Sequence, residues 1–255
     1  MEKLTGFQKI TRFEPGESVP KFAGFKKGKR ATLRFLGPLF VSENRYQREI
    51  DAMDEMNSDP DKLVKAGFVV PKVLGEWPEY DLIAVEYIEG KSGHLMTEQQ
   101  IQSYVELMSG LSINPLYNFR DGVYSSLKNT SLIPQKYQAE YFDAYDKIVD
   151  AIDWDRDEIG MIHGDFHYNN LISTVDGLIG LIDWEYATNG SIYFDLGCYE
   201  SLSKFKFPEI YEKRIEPWRD FIELMLTHWH MSYYNEQVEN HERWMGKLRE
   251  VVSNY

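Results

Sequence analysis

His163-Gly164-Asp165-Phe166-His167-Tyr168-Asn169-Asn170 is the stretch on which the fold of this chain turns. Asp165 and Asn170 lie five positions apart, with His163 two before the aspartate. Directly after it, the apolar runs Leu171-Ile172 and Leu178-Ile179-Gly180-Leu181-Ile182 flank the turn Val175-Asp176-Gly177. That pattern predicts a two-stranded hairpin ending at Asp183. A hairpin brings its second strand back to where the first began, so Asp183 returns beside the 163–170 loop. Two carboxylates and an amide oxygen then converge. Phosphoryl transfer uses such a set: one carboxylate accepts or orients the attacking hydroxyl, and a carboxylate with an amide oxygen holds Mg²⁺ against the phosphates. Two other readings fit the same residues. His163, Asp165 and His167 are also spaced like the ligands of a metal hydrolase, and a polar loop needs no chemistry at all. His94, His228, His230 and His241 form no further cluster along the chain, which weighs against the hydrolase.

Upstream of this centre, short apolar runs alternate with turn signals. Residues 7–13, 21–25 and 31–36 read as strands, and Lys26-Lys27-Gly28-Lys29 as a hairpin turn. Tyr46, Ile50 and Met53 then fall at helical spacing, predicting a helix over about 43–56. Residues 67–70 and 81–88 read as two further strands. The Gly-rich connection Glu89-Gly90-Lys91-Ser92-Gly93 is the candidate boundary between an N-terminal lobe, 1–90, and a C-terminal lobe, 91–255. Beyond it Thr97 and Gln100 form a capping box ahead of Ile101, Val105 and Met108. Tyr137, Tyr141, Tyr145, Ile148 and Ile152 make a second helical stripe. The last 45 or so residues read as helices opening near Pro208 and Pro217. The class predicted is α+β: a small sheet with one helix, then a larger, mainly helical part with a hairpin in its middle, and the chemistry between them.

Composition bounds the partners. A net charge of −13 argues against nucleic acid, whose binding rests on basic surface, and suits either a cationic substrate or plain solubility. No run approaches the roughly 20 apolar residues of a membrane span, and the N-terminal stretch lacks the apolar core of a signal peptide, so no membrane insertion is expected. Cys198 is the only cysteine, which rules out an intrachain disulfide and fits a cytoplasmic location.

The segment HGDFHYNNLI, followed by GLIGLIDWEYATNGSIYFDLG, resembles the aminoglycoside phosphotransferase and choline kinase superfamily, a branch of the protein-kinase-like fold. Ile182-Asp183-Trp184-Glu185-Tyr186-Ala187 is most similar to choline/ethanolamine kinases, and the resemblance runs from about residue 5 to 235. It implies a bilobal protein-kinase-like fold: a small N-terminal antiparallel sheet plus helix that binds nucleotide, and a larger, mainly helical lobe that binds the acceptor. ATP and Mg²⁺ are the implied cofactors. Asp165 would be the catalytic base or orienter, and His163 would brace its loop. Asn170 and Asp183 would bind Mg²⁺, and Asp195 would anchor the loop from behind. Arg34 stands where the family has a lysine on the third strand, with Glu49 as its partner on the following helix. Ser18, in Pro15-Gly16-Glu17-Ser18-Val19, would lie in the phosphate-covering loop. Glu86 and Ile88 would offer hinge backbone to adenine.

The acceptor site would lie in the C-terminal lobe. Trp184, Glu185 and Tyr186, then Trp218, His228, Trp229 and Tyr233, are the candidate lining. Aromatics plus a carboxylate suit a quaternary ammonium or protonated amine, so choline, ethanolamine or an amino sugar is the expected small-molecule acceptor. Arg34 in place of lysine and the glycine-poor loop point to a second reading, a kinase-like binding module with weak or no catalysis. A third is aminoglycoside resistance, the same chemistry on another acceptor. Oligomeric state is not legible in the chain.

Overall fold

A computed structural model describes residues 5–12, 21–35, 45–114, 119–120, 127–129, 133–154, 159–203, 205–233, 238–253 and 255. The chain opens with strands β1 (Gln8–Arg12), β2 (Lys21–Lys26) and β3 (Lys29–Phe35). Lys27 and Gly28 both take positive φ, 51° and 78°, the geometry of a two-residue hairpin turn. That turn fixes the register, pairing Lys26 with Lys29 and, five residues back, Lys21 with Arg34. Helix α1 (Arg45–Met56) follows, then the short α2 (Pro60–Lys65), whose Asp59 cap accepts the Lys62 N–H at 3.0 Å. Next come β4 (Phe68–Val69), β5 (Val73–Trp77) and β6 (Leu82–Glu86). All of these strands except β4 form one antiparallel sheet, β1-β2-β3-β6-β5.

Alternation along the strands divides the core. Leu82 and Ala84 pack with Phe7, Ala31 and Leu33 in a small cluster on one face. Ile83 and Val85 belong to the main core, with Ile50 and Met53 of α1. Arg34 lies directly across from Ile83, and Lys21 across from Arg34, so both cations emerge on the α1 face. On α1 the residues Arg45, Glu49 and Met53 recur every four positions and are all buried, so this helix turns two charged side chains inward with its apolar ones.

The remainder comprises β7 (Gly90–Ser92), α3 (Glu98–Ser109), α4 (Gln135–Asp150), β8 (Ile159–Ile162), β9 (Leu171–Thr174), β10 (Ile179–Leu181), β11 (Thr188–Ser191), α5 (Ile192–Ser203), α6 (Glu209–Tyr233) and α7 (Val238–Val252). The expected hairpin is β9–β10, with Leu171 opposite Leu181. The Thr97–Gln100 capping box caps α3, and the tyrosine stripe is the buried face of α4. The architecture is α+β, as expected. Three local expectations are corrected. The 67–70 run does not join the first sheet: β4 pairs parallel with β10, held by Ile179 N–H to Gly67 O at 2.9 Å and by the fully buried Phe68 ring against Tyr104. The Gly-rich connection contains a strand, β7 on the edge of β9, and Gly90 is needed there because a Cβ would overlap Ser173 O. Pro217 lies inside α6 rather than at a helix start.

Candidate active site

The 163–170 loop hangs between β8 and β9 and is tied at both ends. Asp195, in the first turn of α5 and fully buried, accepts three hydrogen bonds. Its Oδ2 takes the Tyr104 O–H at 2.6 Å and the His163 N–H at 2.7 Å, and its Oδ1 takes the Gly164 N–H at 3.0 Å. Burial pushes the Asp195 carboxyl above its ordinary range, against the pull of His163, Tyr104 and the two amides. The buried His163 ring bridges loop and hairpin. Its Nε2 donates to Ile182 O at 2.8 Å, which can only accept, and its Nδ1 accepts the Asp165 N–H at 3.3 Å. Both ring nitrogens are engaged, so His163 braces the loop and is not placed as a metal ligand, which removes it from the hydrolase reading. Among the described residues no three His, Cys, Asp or Glu side chains gather to hold a metal.

Gly164 makes the bend with φ +80°, and a Cβ there would collide with the Tyr186 carbonyl. Asp165, beyond the bend, keeps 37 % of its side chain exposed. Asn170 Nδ2 donates to Asp165 O at 2.9 Å and Oδ2 at 3.1 Å, which leaves the amide oxygen for a cation. His167 Nε2 stands 3.5 Å from Asp165 Oδ2. Ile182 N–H bonds Asn170 O at 3.1 Å, tying Asp183 to the loop through the backbone. Asp183 itself adopts φ +76°, an uncommon conformation for a residue with a side chain and one that recurs at functional sites.

Around Asp183 three cations meet three carboxylates. Arg34 donates to Glu49, to Asp183 and, at 3.5 Å, to Glu185. Lys21 Nζ lies 2.9 Å from Asp183 Oδ2. Arg45 pairs with Glu185, donates to Tyr186 O–H at 3.1 Å, and holds its guanidinium 4.7 Å from the Tyr186 ring centre. Burial opposes the charge on Asp183, but Arg34 and then Lys21 prevail and hold its carboxyl well below the usual range. Glu49 is pushed up to about 7, burial outweighing Arg34, with the Asp183 and Glu185 charges adding to the rise. Burial likewise raises Glu185 in spite of Arg34. The Arg34 guanidinium stays charged, burial being overcome by Asp183, Glu49 and Glu185.

A cleft opens beside this network, lined by Lys21, Thr32, Arg34, Glu49, Asp183, residues 85–88, and Ile172 and Ile182 from the hairpin. Glu86 and Ile88 therefore edge the same cleft as Arg34. Ser18 and the turn around it lie outside the described residues. The expected acceptor lining is largely displaced. Trp184 is fully buried, its indole N–H donating to Leu181 O at 3.0 Å and its ring 4.6 Å from His163. Trp218 is 1 % exposed and packs with Phe119, Phe194 and Phe221. Both are core residues, because a ring that size gains more from burial than from edging a wet cleft. Glu185 is 4 % exposed and neutralised by Arg34 and Arg45, so it is not a free carboxylate for a cationic acceptor. Trp229 is 40 % exposed and packs against His230. Tyr186 is 38 % exposed, with the Arg45 guanidinium on its ring. Lys21 and Arg45 were missed, although the hairpin register and the four-residue step from Glu49 place them.

Residues 10–216 match the model of the phosphotransferase enzyme family. Among solved structures, choline kinase LicA from Streptococcus pneumoniae superposes with a TM-score of 0.60 at 13 % identity, over 100 % of this chain and 96 % of that one. The choline/ethanolamine kinase family protein from Mesorhizobium loti gives 0.62 at 17 %, over 95 % and 87 %. A thermostable mutant of aminoglycoside phosphotransferase APH(4)-Ia, in ternary complex with ADP and hygromycin B, gives 0.68 at 16 %, over 99 % and 96 %. No curated protein matches the chain. At such identities the superpositions carry the protein-kinase-like fold alone. The family match spans most of the sequence, from β1 into α6 and across the whole loop-and-hairpin centre, and by it the chain belongs to the phosphotransferase enzyme family.

Proposed function

We propose that this chain is an ATP- and Mg²⁺-dependent kinase that transfers the γ-phosphoryl group to a hydroxyl of a small molecule. The observation that carries this is the convergence of Asp165, Asn170 and Asp183 at one end of the β9–β10 hairpin, beside a cleft edged by residues 86–88. The residues present suit Mg²⁺, which takes one or two carboxylates and completes its shell with water and phosphate oxygens. Asp183 supplies a carboxylate held in its charged form, and Asn170 an amide oxygen left over from its bonds to Asp165. Bound there, the ion would draw negative charge from the transferring phosphate.

The chain's own residues then do the following. Asp165 orients the acceptor hydroxyl and receives its proton as the oxygen attacks. His163 and Asp195 hold Asp165 in place. The apolar walls Val85, Ile172 and Ile182 take the adenine, with backbone at Glu86 and Ile88 to bond its edge. In this scheme residues 1–90 serve mainly the nucleotide and 91–255 the acceptor, although β4 ties the first segment into the hairpin's sheet. The acceptor class we favour is a cationic alcohol such as choline, ethanolamine or an amino sugar. It is supported by the charge of −13, and no longer by Glu185, Trp184 or Trp218. No described helix is long and apolar enough to cross a membrane, and the single cysteine fits a cytoplasmic setting.

ADP release with Mg²⁺ is the test, over choline, ethanolamine, amino sugars, simple sugars and aminoglycosides. One acceptor class should stimulate turnover, and Asp165→Asn should lower kcat by about 10²–10⁴-fold. Unchanged turnover in Asp165→Asn would show the mechanism to be wrong. If no acceptor stimulates ATP use and no Mg-nucleotide binds, the enzyme reading fails. If nucleotide binds without turnover, the kinase-like binding module replaces it.

A further inference from the structure

We infer that Lys21, and not Arg34, is the side chain that contacts the nucleotide phosphates; this rests on the nucleotide site proposed above. Arg34 occupies the third-strand position from which a cation would reach them, but its guanidinium is committed. It holds Glu49, Asp183 and Glu185 at once, and its side chain is 4 % exposed. Swinging it toward a phosphate would strand buried carboxylates, a heavy penalty. Its fork is planar, with one terminal nitrogen on Glu49 and the other shared by Asp183 and Glu185, so turning it toward a phosphate gives up a carboxylate.

Lys21 stands directly opposite Arg34 across β2 and β3 and leaves the same face of the sheet. Its Nζ reaches Asp183 Oδ2 at 2.9 Å, on the other carboxylate oxygen from the one Arg34 uses. Its side chain is 17 % exposed, so of the two cations on Asp183 it is the one on the open side, and it lines the cleft. Phosphates brought to Asp183 through a metal would arrive within reach of this ammonium. A lysine suits the contact: its charge is a compact point on a flexible stem with three donors, so it can bond a phosphate oxygen while another donor stays on the carboxylate. Arg34 is then a positioning residue that fixes Glu49, Asp183 and Glu185, and Lys21 is the phosphate ligand.

Calorimetric titration of the full chain with adenosine, ADP and ATP in Mg²⁺ separates the possibilities. Lys21→Met should bind ATP about 10- to 100-fold more weakly, the loss of one charge-assisted bond, with ADP affected and adenosine unchanged. Lys21→Arg should recover most of the ATP affinity, because it keeps the charge. ATP affinity in Lys21→Met within about threefold of the parent chain, under half of one such bond, overturns the assignment. So does an equal loss of adenosine and ATP, which marks a structural role. Should Lys21→Met lack a melting transition, Lys21→Gln is read by the same criteria. A parent chain that binds no Mg-ATP sinks the proposed function itself, whereas a parent that binds beside an unimpaired Lys21→Met sinks only the role of Lys21.

Discussion

Replacing Asp195 with asparagine tests whether one buried carboxylate holds the 163–170 loop from behind. The carboxylate receives three donors, Tyr104 O–H and His163 N–H on one oxygen and Gly164 N–H on the other, and its 0 % exposure leaves no water to replace it. Asparagine fills the same volume but has one acceptor oxygen. If that oxygen keeps the Oδ2 place, the new NH₂ meets the Gly164 N–H, donor against donor. Turned over, it meets the His163 N–H instead, while the Tyr104 hydroxyl can rotate to accept from it. The milder arrangement forfeits a charge-assisted bond of about 1.5–3 kcal/mol and strands a buried donor at about 1–3 kcal/mol. Removing a charge whose burial is itself unfavourable returns part of this, and a net loss of about 2–4 kcal/mol follows. In a chain of this size that lowers Tm by roughly 4–16 °C. Urea and thermal unfolding measure the loss, and ADP release should fall with it, because His163 and Gly164 carry Asp165. A Tm within about 2 °C of the parent chain together with unchanged kcat would refute the anchoring.

Gly164→Ala should be more damaging to activity than its single carbon suggests: left-handed backbone plus overlap with the Tyr186 carbonyl costs about 2 kcal/mol or more, read as Tm, and displaces Asp165, read as a fall in kcat. Trp184→Phe should lower stability by about 1–3 kcal/mol through the lost Leu181 bond and smaller ring, while leaving the acceptor KM unchanged; a raised KM would return Trp184 to the acceptor site. Glu49 gives a pH signature. Its carboxyl is pushed from 4.5 to about 7, so the fold binds this proton more tightly than the unfolded chain does. The stability it contributes is full below 4.5 and is lost as pH rises to about 7, a swing of about 3 kcal/mol that Glu49→Gln should remove from the Tm-against-pH curve. Parallel curves for the two proteins over that range would show that Glu49 does not carry it.

How much of this was legible in the sequence follows from the range of the interactions. The loop and hairpin are local objects: the spacing of Asp165 and Asn170, the turn at Val175-Asp176-Gly177 and the alternation around it place Asp183 without knowledge of the rest. Arg34 and Glu49 were also within reach, since one lies on a strand and the other on the face of the next helix. The membership of β4 was not, because its partner β10 lies about a hundred residues further on and nothing in Phe68-Val69 distinguishes one sheet edge from another. The tryptophans failed for a different reason. Trp184 and Trp218 were placed at the acceptor because aromatic rings can hold cations, yet an aromatic residue next to a functional motif answers first to packing, and both were absorbed by the core.

Lys21 and Arg45 mark a subtler limit. Each contributes a charge whose partner is remote, Lys21 to Asp183 across 162 positions and Arg45 to Tyr186 across 141. The residues that aim them are nevertheless local. The two-residue turn at Lys27-Gly28 forces Lys21 opposite Arg34, and the helix step forces Arg45 onto the face of Glu49. Once Asp183 and Glu185 are granted a place beneath that face, two carboxylates in a buried site require cations, and the only question is which ones the register delivers. Followed in that order, the substitution of arginine on the third strand ceases to be a sign of lost function. A larger cation, held by three carboxylates, occupies the back of the site, and the smaller one on the adjacent strand is set at its open edge. On the assignment inferred above, the pair would divide between two side chains the holding of the carboxylates and the meeting of the phosphate.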